Sequence, residues 1–244
     1  MKIKSKIIQL VIVLCVSFFI ICPVEARNLK ATLSRIPLLS ESSEKGLLVD
    51  LLKAMDEIYT EGNISIEVYP SARAIDNLVK RDYDLLMPML RSQHVNEAEL
   101  PFAYSEMPVF TAMFVLYTNK NNKEITPENA GNFVIETEAP LVNYYGFKAR
   151  VSSGPELSLS KVDMGRIDGY IMAMTETDGV LKPLNLKNIK RTYFGTFDAP
   201  IVLKKGPEGK EVEKILTDLL NRLKENGTYA KIMAPMLNQE FKEW

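Results

Sequence analysis

Residues 64–90 of this chain read ISIEVYPSARAIDNLVKRDYDLLMPML, and this stretch decides the fold. Residues 64–69 alternate apolar and polar side chains with the period of two that is typical of a β-strand. After Ser71 the apolar side chains recur at helical spacing, and the apolar run at 84–90 predicts a buried strand that Pro88 should end or distort. A strand, a helix and a strand in this order favour two parallel strands with a helix packed on the sheet.

The flanking sequence extends this pattern in both directions. Residues 29–33 predict a strand and residues 44–59 an amphipathic helix, so the first part of the chain is a βαβαβ unit. A second α/β unit follows the stretch rich in Asn and Lys at 119–123. Its predicted strands lie at 133–136, 148–151, 169–174 and 189–194, and its predicted helices begin near Ala139, at Pro155 and at Thr175. We therefore expect an α/β protein with two similar lobes.

The last part of the sequence completes this arrangement. Residues 199–203 predict one more strand, and residues 208–224 predict a long amphipathic helix with one apolar face. Asn226-Gly227 should end this helix, and a short segment at 229–236 closes the fold. The chain shows no short internal repeat and no low-complexity tract.

The N-terminal residues have the pattern of an export signal. Three lysines among the first six residues precede an apolar run at 7–21, and Val24-Glu25-Ala26 offers a cleavage site. The apolar run is shorter than the ~20 residues that a membrane-spanning helix needs, which disfavours an uncleaved anchor. Lipidation at Cys22 is disfavoured because bulky residues precede it. We expect residues 1–26 to be a cleaved signal peptide and the protein to be periplasmic.

Cysteine content and charge exclude several kinds of site and partner. Both cysteines, Cys15 and Cys22, lie within the expected signal, so stability must come from packing and not from disulfides. The chain has 30 basic and 31 acidic residues, a balance that lacks the basic surface needed for nucleic acid or for anionic membranes. His94 is the only histidine, which excludes zinc clusters and triads that need a second imidazole. No glycine-rich phosphate loop follows a predicted strand, and we expect no cofactor.

Several short motifs, taken in their order along the chain, resemble the periplasmic solute-binding proteins of family 3, the substrate-binding proteins of ABC transporters for amino acids and other polar solutes. The resemblance covers nearly all of the chain after the expected signal. The segments that carry it are residues 46–52 (GLLVDLL), 70–74 (PSARA), 80–84 (KRDYD), 165–169 (GRIDG) and 219–232 (LLNRLKENGTYAKI).

The resemblance implies a two-lobed type 2 periplasmic-binding fold in which two strands cross between the lobes. Lobe one is expected to comprise residues 27–117 and 198–244, and lobe two residues 118–197. The crossings are expected near Tyr117-Thr118 and Phe197-Asp198. We expect a monomer that closes over a small-molecule ligand at the carboxyl ends of the strands and then engages an ABC transporter permease or a membrane sensor.

Three arginines follow predicted strand ends in lobe one, namely Arg35, Arg73 and Arg91. A guanidinium can hold a carboxylate with two parallel hydrogen bonds, so these residues favour an anionic or zwitterionic solute. Their alternative role is to bridge surface carboxylates. The amino-acid binders of the family carry an arginine where this chain has Asn96. Either Arg91 substitutes for it from a shifted position, or the ligand belongs to another class of small polar or aromatic solute.

Lobe two offers polar side chains at predicted helix starts, where backbone N–H groups converge. Thr137 and Glu138 enter one predicted helix, and Thr175 and Glu176 enter the next. Helix capping is the alternative role for Glu138 and the two threonines. The acidic residue that receives the ligand's ammonium in the family falls near Ala173 here, with Glu176 as the nearest carboxylate.

Aromatic and hinge residues complete the set of candidates. Tyr144 can stack on a flat ligand or donate its hydroxyl, as can Tyr104, Phe110 and Tyr145, although such residues more often belong to the core. Asp198, at the second crossing, can face the ligand or simply hold the crossover.

Three functions remain after these exclusions. Solute capture by lobe closure, for uptake or sensing and without covalent chemistry, is the function that we expect, so the protein should not be an enzyme. The alternative is an enzyme similar to the periplasmic cyclohexadienyl dehydratases, which act on cyclic acids such as prephenate or arogenate, with Glu138, Glu176 or His94 moving the proton. A receptor module that binds a partner protein is the third.

Overall fold

The computed structural model describes residues 26–92 and 94–242. The expected signal peptide lies outside these residues except for Ala26. The described residues form an α/β fold with one eight-stranded sheet and seven α-helices. The strands are β1 (Leu29–Ser34), β2 (Ile64–Tyr69), β3 (Leu85–Met87), β4 (Ala103–Asn119), β5 (Ile135–Thr137), β6 (Arg150–Val151), β7 (Gly169–Ala173) and β8 (Ile189–Leu203). The helices are α1 (Leu47–Ile58), α2 (Ser71–Lys80), α3 (Pro155–Asp163), α4 (Met174–Leu184), α5 (Pro207–Glu225), α6 (Thr228–Ile232) and α7 (Ala234–Leu237).

The sheet contains two groups of parallel strands, and these are the two lobes predicted from the sequence. The strand order is β2-β1-β3-β8-β4-β7-β5-β6. Lobe one is built on β1, β2 and β3, and lobe two on β5, β6 and β7, each group being parallel. Between them, β4 and β8 run antiparallel to each other and to their outer neighbours. These are the two strands that cross between the lobes.

A two-stranded ribbon joins the lobes. β8 pairs with β3 only at Val202 and Leu203, and β4 pairs with β7 only from Phe114 onward, so the segment of β4 and β8 between these points has no outer neighbours. We call residues 105–113 of β4 and 196–201 of β8 the hinge ribbon. Its pairing shifts register on both sides of Pro108. A ribbon of two strands with irregular pairing twists and bends more readily than a wide sheet, so the lobes can flex here.

The strand pairing refines the lobe boundaries expected from the sequence. Tyr117 and Thr118 pair with β7, inside lobe two, whereas the other expected crossing at Phe197-Asp198 lies in the hinge ribbon. We propose a first boundary near Met113, because the chain joins the β7 ladder as soon as it reaches Phe114. The division into these residue ranges remains a proposal.

Most of the predicted elements are present, with three differences. The sequence did not indicate β4, which is 17 residues long, and the strands predicted at 189–194 and 199–203 form the single strand β8. The helix predicted near Ala139 is only a 3-10 turn, Ala139–Leu141. It does not continue because Tyr145 turns into the core and Gly146 adopts a left-handed conformation with φ of 80°.

The apolar helical faces form the core of lobe one. α1 and α5 pack against each other, and their buried side chains line one side of the sheet. The buried residues of α1 are Leu48, Val49, Leu51, Leu52 and Met55, and those of α5 include Val212, Leu216, Leu219, Leu220 and Leu223. The main buried cluster continues along the hinge ribbon into lobe two, and a smaller one lies under α2. The described residues contain no cysteine, so burial of these apolar side chains, and not disulfides, stabilises the fold.

No helix in the part of the chain that the structure describes is long and apolar enough to cross a membrane. The same residues contain no group of three or more His, Cys, Asp or Glu side chains placed to hold a metal ion.

Candidate functional site

The carboxyl ends of both parallel strand groups point toward the hinge ribbon. β3 runs in the same direction as β4, because both are antiparallel to β8, and β7 runs in the opposite direction. β1 and β2 are parallel to β3, and β5 and β6 follow the direction of β7. The residues that follow these six strands therefore meet at the groove between the lobes. Open α/β sheets bind ligands at such an edge.

An acidic cluster lies at this edge in lobe two. Glu138 directly follows β5, and Glu176 lies in the first turn of α4, directly after β7. Tyr170 on β7 donates its hydroxyl to Glu138 Oε1 at 3.1 Å. We refer to Glu138, Tyr170 and Glu176 as the acidic cluster. It brings together two residues that the sequence analysis selected from separate elements.

The surroundings of the acidic cluster change its protonation. Burial raises the pKa of Glu176 to about 7, and the negative charge of Glu138 adds to this effect. Burial also raises the pKa of Tyr170, with further contributions from the charge of Glu138 and from their hydrogen bond. Two carboxyl groups in a poorly solvated place favour retention of one proton near neutral pH. A cation that enters the cluster would replace this proton and stabilise both carboxylates.

Arg91 follows β3, but contacts within lobe one engage its guanidinium. Nη2 donates to the Ser105 carbonyl oxygen at 3.1 Å, and Nε lies 3.0 Å from Glu97 Oε1. Cζ lies 5.1 Å from the centre of the Tyr104 ring, within the range of a cation–π contact. Arg91 thus holds its own loop in this conformation, which is the bridging role that the sequence analysis left open.

Arg35 and Arg73 lie together at the carboxyl ends of β1 and β2. The Arg35 backbone N–H donates to the Tyr69 carbonyl oxygen at 2.7 Å, and Arg73 Cζ lies 4.7 Å from the centre of the Tyr69 ring. Both arginines are exposed to solvent. Their guanidinium groups are therefore better placed than that of Arg91 to meet an anionic group of a ligand.

Direct contacts join the two lobes where the loop after β3 meets the segment after β5. Tyr144 donates its hydroxyl to the Arg91 carbonyl oxygen at 2.7 Å, and Ser92 Oγ donates to the Tyr144 carbonyl oxygen at 3.2 Å. The His94 ring packs so closely on Gly146 that a Cβ at this glycine would lie 2.8 Å from His94 Cε1. We call these contacts the latch. They join the lobes on the β3 side of the groove.

A group of aromatic rings fills the junction beside the latch. Their ring centres lie 5.2 to 6.4 Å apart, and several pairs meet edge to face, the arrangement that aromatic quadrupoles favour. Burial raises the pKa of Tyr144, so its hydroxyl remains a donor to the latch. The aromatic rings belong to Phe114, Tyr144, Tyr145, Phe147, Phe194 and Phe197. Tyr144 is thus a buried residue whose polar end reaches the other lobe.

The remaining predicted residues differ in how accessible they are. Thr137 is fully buried and donates its hydroxyl to a carbonyl oxygen of β7 at 2.8 Å, so we leave it out of the proposed site. Thr175 Oγ1 accepts a hydrogen bond from Gln239 Nε2 at 3.2 Å. The Asp198 carbonyl oxygen accepts the backbone N–H of Arg91 at 3.0 Å, while the Asp198 side chain is exposed. Asp198 therefore helps to hold the crossover.

Sequence reasoning missed two residues that contact the candidate site residues, Tyr170 and Gln239. Tyr170 lies within the predicted strand at 169–174, and a tyrosine with a polar tip in a buried strand beside a predicted acidic residue could have drawn attention to it. Gln239 follows the last predicted segment, and no pattern in the sequence connects it with Thr175. The fold alone brings these two residues together.

Two surface cavities lie away from the groove. One, of about 350 Å³, lies beside α1 and α5, between Tyr59 and Arg222. The other, of about 260 Å³, lies at the far end of β4, between Lys120 and Lys190. Neither is lined by a predicted site residue, so the choice of the groove rests on strand direction and on the acidic cluster.

Comparison with known proteins identifies the fold. No protein-family model matches the chain, and no curated protein matches its sequence. A histidine kinase sensor domain with similarity to periplasmic binding proteins matches with a TM-score of 0.69 and 15% identity, over 88% of this chain and 97% of that one. A mutant of ArgBP from T. maritima matches with a TM-score of 0.64 and 18% identity, over 87% and 96% of the two chains.

A further match is an ancestral binding protein described as the precursor of an enzyme. The ancestral amino acid-binding protein AncCDT-1, a precursor of cyclohexadienyl dehydratase, matches with a TM-score of 0.62 and 17% identity, over 86% and 94% of the two chains. Identities this low show the fold alone. They confirm the two-lobed periplasmic-binding fold that the sequence analysis predicted.

Proposed function

We propose that this protein captures a small polar solute that carries an ammonium group, by closing its two lobes around it in the periplasm, for ABC-type uptake or for sensing. The observation that carries the proposal is the acidic cluster at the groove, where two carboxylates and a phenol converge on one edge. The shared fold with solute-binding proteins supports it.

The chemistry of the cluster favours a cation over a neutral or negative group. Glu176 keeps a proton near neutral pH because burial and Glu138 disfavour its ionised form. An ammonium group placed between the two carboxylates offsets this repulsion and donates charge-assisted hydrogen bonds to them, which are stronger than neutral ones. Tyr170 orients Glu138 for this contact. A solute without a positive charge would leave the cluster unchanged or would be repelled.

The opposite edge of the groove favours a solute that also carries a negative group. Arg35 and Arg73 are exposed at the ends of β1 and β2, and a guanidinium binds a carboxylate with two parallel hydrogen bonds. A zwitterion would contact both lobes at once. Such a solute binds the closed form better than the open form and therefore shifts the population toward closure.

A thermal unfolding screen tests this proposal. The panel should contain amino acids, amines that lack the carboxylate, and the matching carboxylic acids that lack the amine. We expect saturable stabilisation by at least one amino compound, with a gain of about 2.7 kcal/mol at a concentration of one hundred times Kd. The matching compound without the amine should give no stabilisation.

Two variants make the test specific to the acidic cluster. Glu176→Gln removes one carboxylate and should weaken binding of the amino compound roughly tenfold or more, because a charge-assisted contact is lost. Glu128→Gln is the matched control, since Glu128 is an exposed glutamate in lobe two away from these strand ends. Equal affinities for the wild type and Glu176→Gln, or equal stabilisation by compounds without an amine, would refute the proposed site.

An enzyme similar to cyclohexadienyl dehydratase is the second candidate. What favours it is the buried position of Glu176 beside Glu138 at the groove, which raises its pKa to about 7, since a carboxyl group in such a place suits general acid or base catalysis. Incubation with prephenate, followed by the absorbance of the aromatic product, tests this alternative. Turnover that Glu176→Gln abolishes supports the enzyme, and saturable binding without turnover supports capture.

The proposed location and partner require separate tests. Export predicts that the protein appears in the periplasmic fraction and that its N-terminus, determined by mass spectrometry, begins near Arg27. A permease or a membrane sensor as partner predicts that cross-linking in intact cells captures a membrane protein only when the solute is present. A cytoplasmic, full-length product would remove the periplasmic part of the proposal.

A further inference from the structure

The C-terminal residues connect the two lobes a third time. α6 belongs with lobe one, because it contacts α1 and α5 and because Met233, just after it, is fully buried. Tyr229 in α6 donates its hydroxyl to the Val109 carbonyl oxygen of the hinge ribbon at 2.6 Å. Beyond this point the chain leaves lobe one. We call residues 234–242 the strap.

The strap contacts α4 and β8 of lobe two. Near its middle, Gln239 Nε2 donates to Thr175 Oγ1 at 3.2 Å, in the first turn of α4. Near its end, the Lys242 carbonyl oxygen accepts a hydrogen bond from Arg191 Nη1 at 2.7 Å. The Phe241 ring centre lies 5.2 Å from Arg191 Cζ. The strap, which the sequence analysis assigned to lobe one, is thus fixed at two points in lobe two.

The anchor for the end of the strap is an ion pair between a buried arginine and a partly buried aspartate. Arg191 is 3% exposed, and its Nη2 donates to Asp178 Oδ2 at 2.5 Å. Tyr117 donates its hydroxyl to Asp178 Oδ1 at 2.8 Å. Asp178 lies in α4, one turn after Thr175. Both points of attachment therefore act on the beginning of the helix that carries Glu176.

We propose that the strap limits the hinge motion of the lobes and that Gln239 is a positioning residue for the first turn of α4, which carries Thr175 and Glu176. The link to ligand binding rests on the proposed function, but the mechanical role does not. Any opening about the hinge ribbon moves lobe one against lobe two, and the strap must either stretch or release its contacts with Thr175 and Arg191. The strap therefore couples the opening of the groove to the position of the acidic cluster.

Hydrogen exchange of the ligand-free protein tests this proposal. Gln239→Leu keeps the size of the side chain but removes the donor to Thr175, and Phe241→Ala removes the ring beside Arg191. Each variant should speed amide exchange at residues 174–178 at least tenfold relative to the wild type. Leu237→Ala is the matched control, because Leu237 lies in the strap but is 48% exposed, and it should leave this exchange unchanged.

Small-angle scattering provides the second measurement. The radius of gyration of the ligand-free protein should rise in Gln239→Leu and Phe241→Ala and remain at the wild-type value in Leu237→Ala. Wild-type exchange rates at 174–178 in both strap variants, or equal acceleration in all three, would overturn the proposal. Because neither measurement uses a solute, a failure of solute capture would leave these results intact. If Phe241→Ala does not fold, Gln239→Leu alone decides.

Discussion

Replacing Glu176 with Gln should stabilise the protein at neutral pH and leave its stability unchanged in acid. The cause is the position of Glu176 in the acidic cluster, where burial and the charge of Glu138 oppose ionisation and raise its pKa to about 7. In the unfolded chain the same carboxyl group returns to an ordinary value near 4.5. Glutamine has nearly the same shape and never ionises, so it removes this conflict.

The sign and the size of the effect follow from proton linkage. Below about pH 4.5 Glu176 is protonated in both states and contributes nothing. Between about pH 4.5 and 7 the unfolded chain holds fewer protons than the folded chain, so the free energy of unfolding falls as the pH rises. The gap between the two pKa values corresponds to roughly 3 kcal/mol, at about 1.4 kcal/mol per pKa unit. Since Glu176 is not fully buried, solvent screening reduces this value to roughly 1 to 3 kcal/mol.

Urea unfolding of the wild type and of Glu176→Gln, measured from pH 4 to pH 8, provides the assay. The difference between their free energies of unfolding should be near zero at pH 4, grow between pH 5 and 7, and then level off. Glu128→Gln is a control of opposite sign, because the Thr126 hydroxyl lowers the pKa of Glu128, so any loss of stability in this variant is constant above about pH 4.5 and changes with pH only below it. A difference for Glu176→Gln that does not change with pH would refute the reasoning.

Three further predictions concern the groove and the latch. The affinity for the ammonium solute that we propose should rise up to tenfold per pH unit from pH 5 to 7 and then level off, because Glu176, whose pKa is about 7, must lose its proton; calorimetry at several pH values checks this. Tyr144→Phe removes the hydrogen bond to the Arg91 carbonyl oxygen and should cost about 1 kcal/mol in urea unfolding. Gly146→Ala should destabilise the protein by roughly 1 to 3 kcal/mol, because its φ is 80° and its Cβ would meet His94. Adding His94→Ala should recover only part of this loss, since the backbone strain remains.

The sequence alone predicted the order of the elements in both lobes. Periodicity placed α1 and α5, and the apolar run ending at Pro88 placed β3, which stops at Met87. These elements could be predicted because each one buries a face against the sheet, and burial leaves a local pattern of apolar residues. The alternation of strands and helices then limited the fold to parallel groups.

The crossing strands were harder to predict, for a physical reason. The first half of β4 packs against lobe one and its second half packs against lobe two, so the pattern of apolar residues changes partway along the strand. β8 is exposed or half-buried from Thr192 to Asp198 and buried from Ala199 onward, and the sequence therefore suggested two strands, 189–194 and 199–203. The turn at Ala139–Leu141 looked like a helix start because Pro140 and polar neighbours are common there.

The predicted strand ends indicated where the candidate site lies, but they did not indicate which side chains contact each other there. Glu138 was selected at a predicted helix start after a strand and Glu176 as the carboxylate nearest to the family's acidic position, and the structure brings them together in the acidic cluster. Arg91 was selected by the same rule, yet Glu97 and Ser105 engage its guanidinium within lobe one. A position directly after a strand fixes where the backbone of a residue lies. The hydrogen-bond and charge partners of its side chain depend on loops whose path the sequence does not reveal.

The arrangement of charges suggests how the groove selects its solute. The latch joins the lobes on the β3 side, whereas Arg35 and Arg73 are exposed at the ends of β1 and β2, so we expect a solute to enter the groove from the side of these arginines. Closure removes water from the acidic cluster, and a carboxylate that loses water without gaining a positive partner is costly. An ammonium group removes this cost, while a neutral or anionic solute leaves it in place. Selection would then come as much from the penalty on wrong solutes as from contacts with the right one.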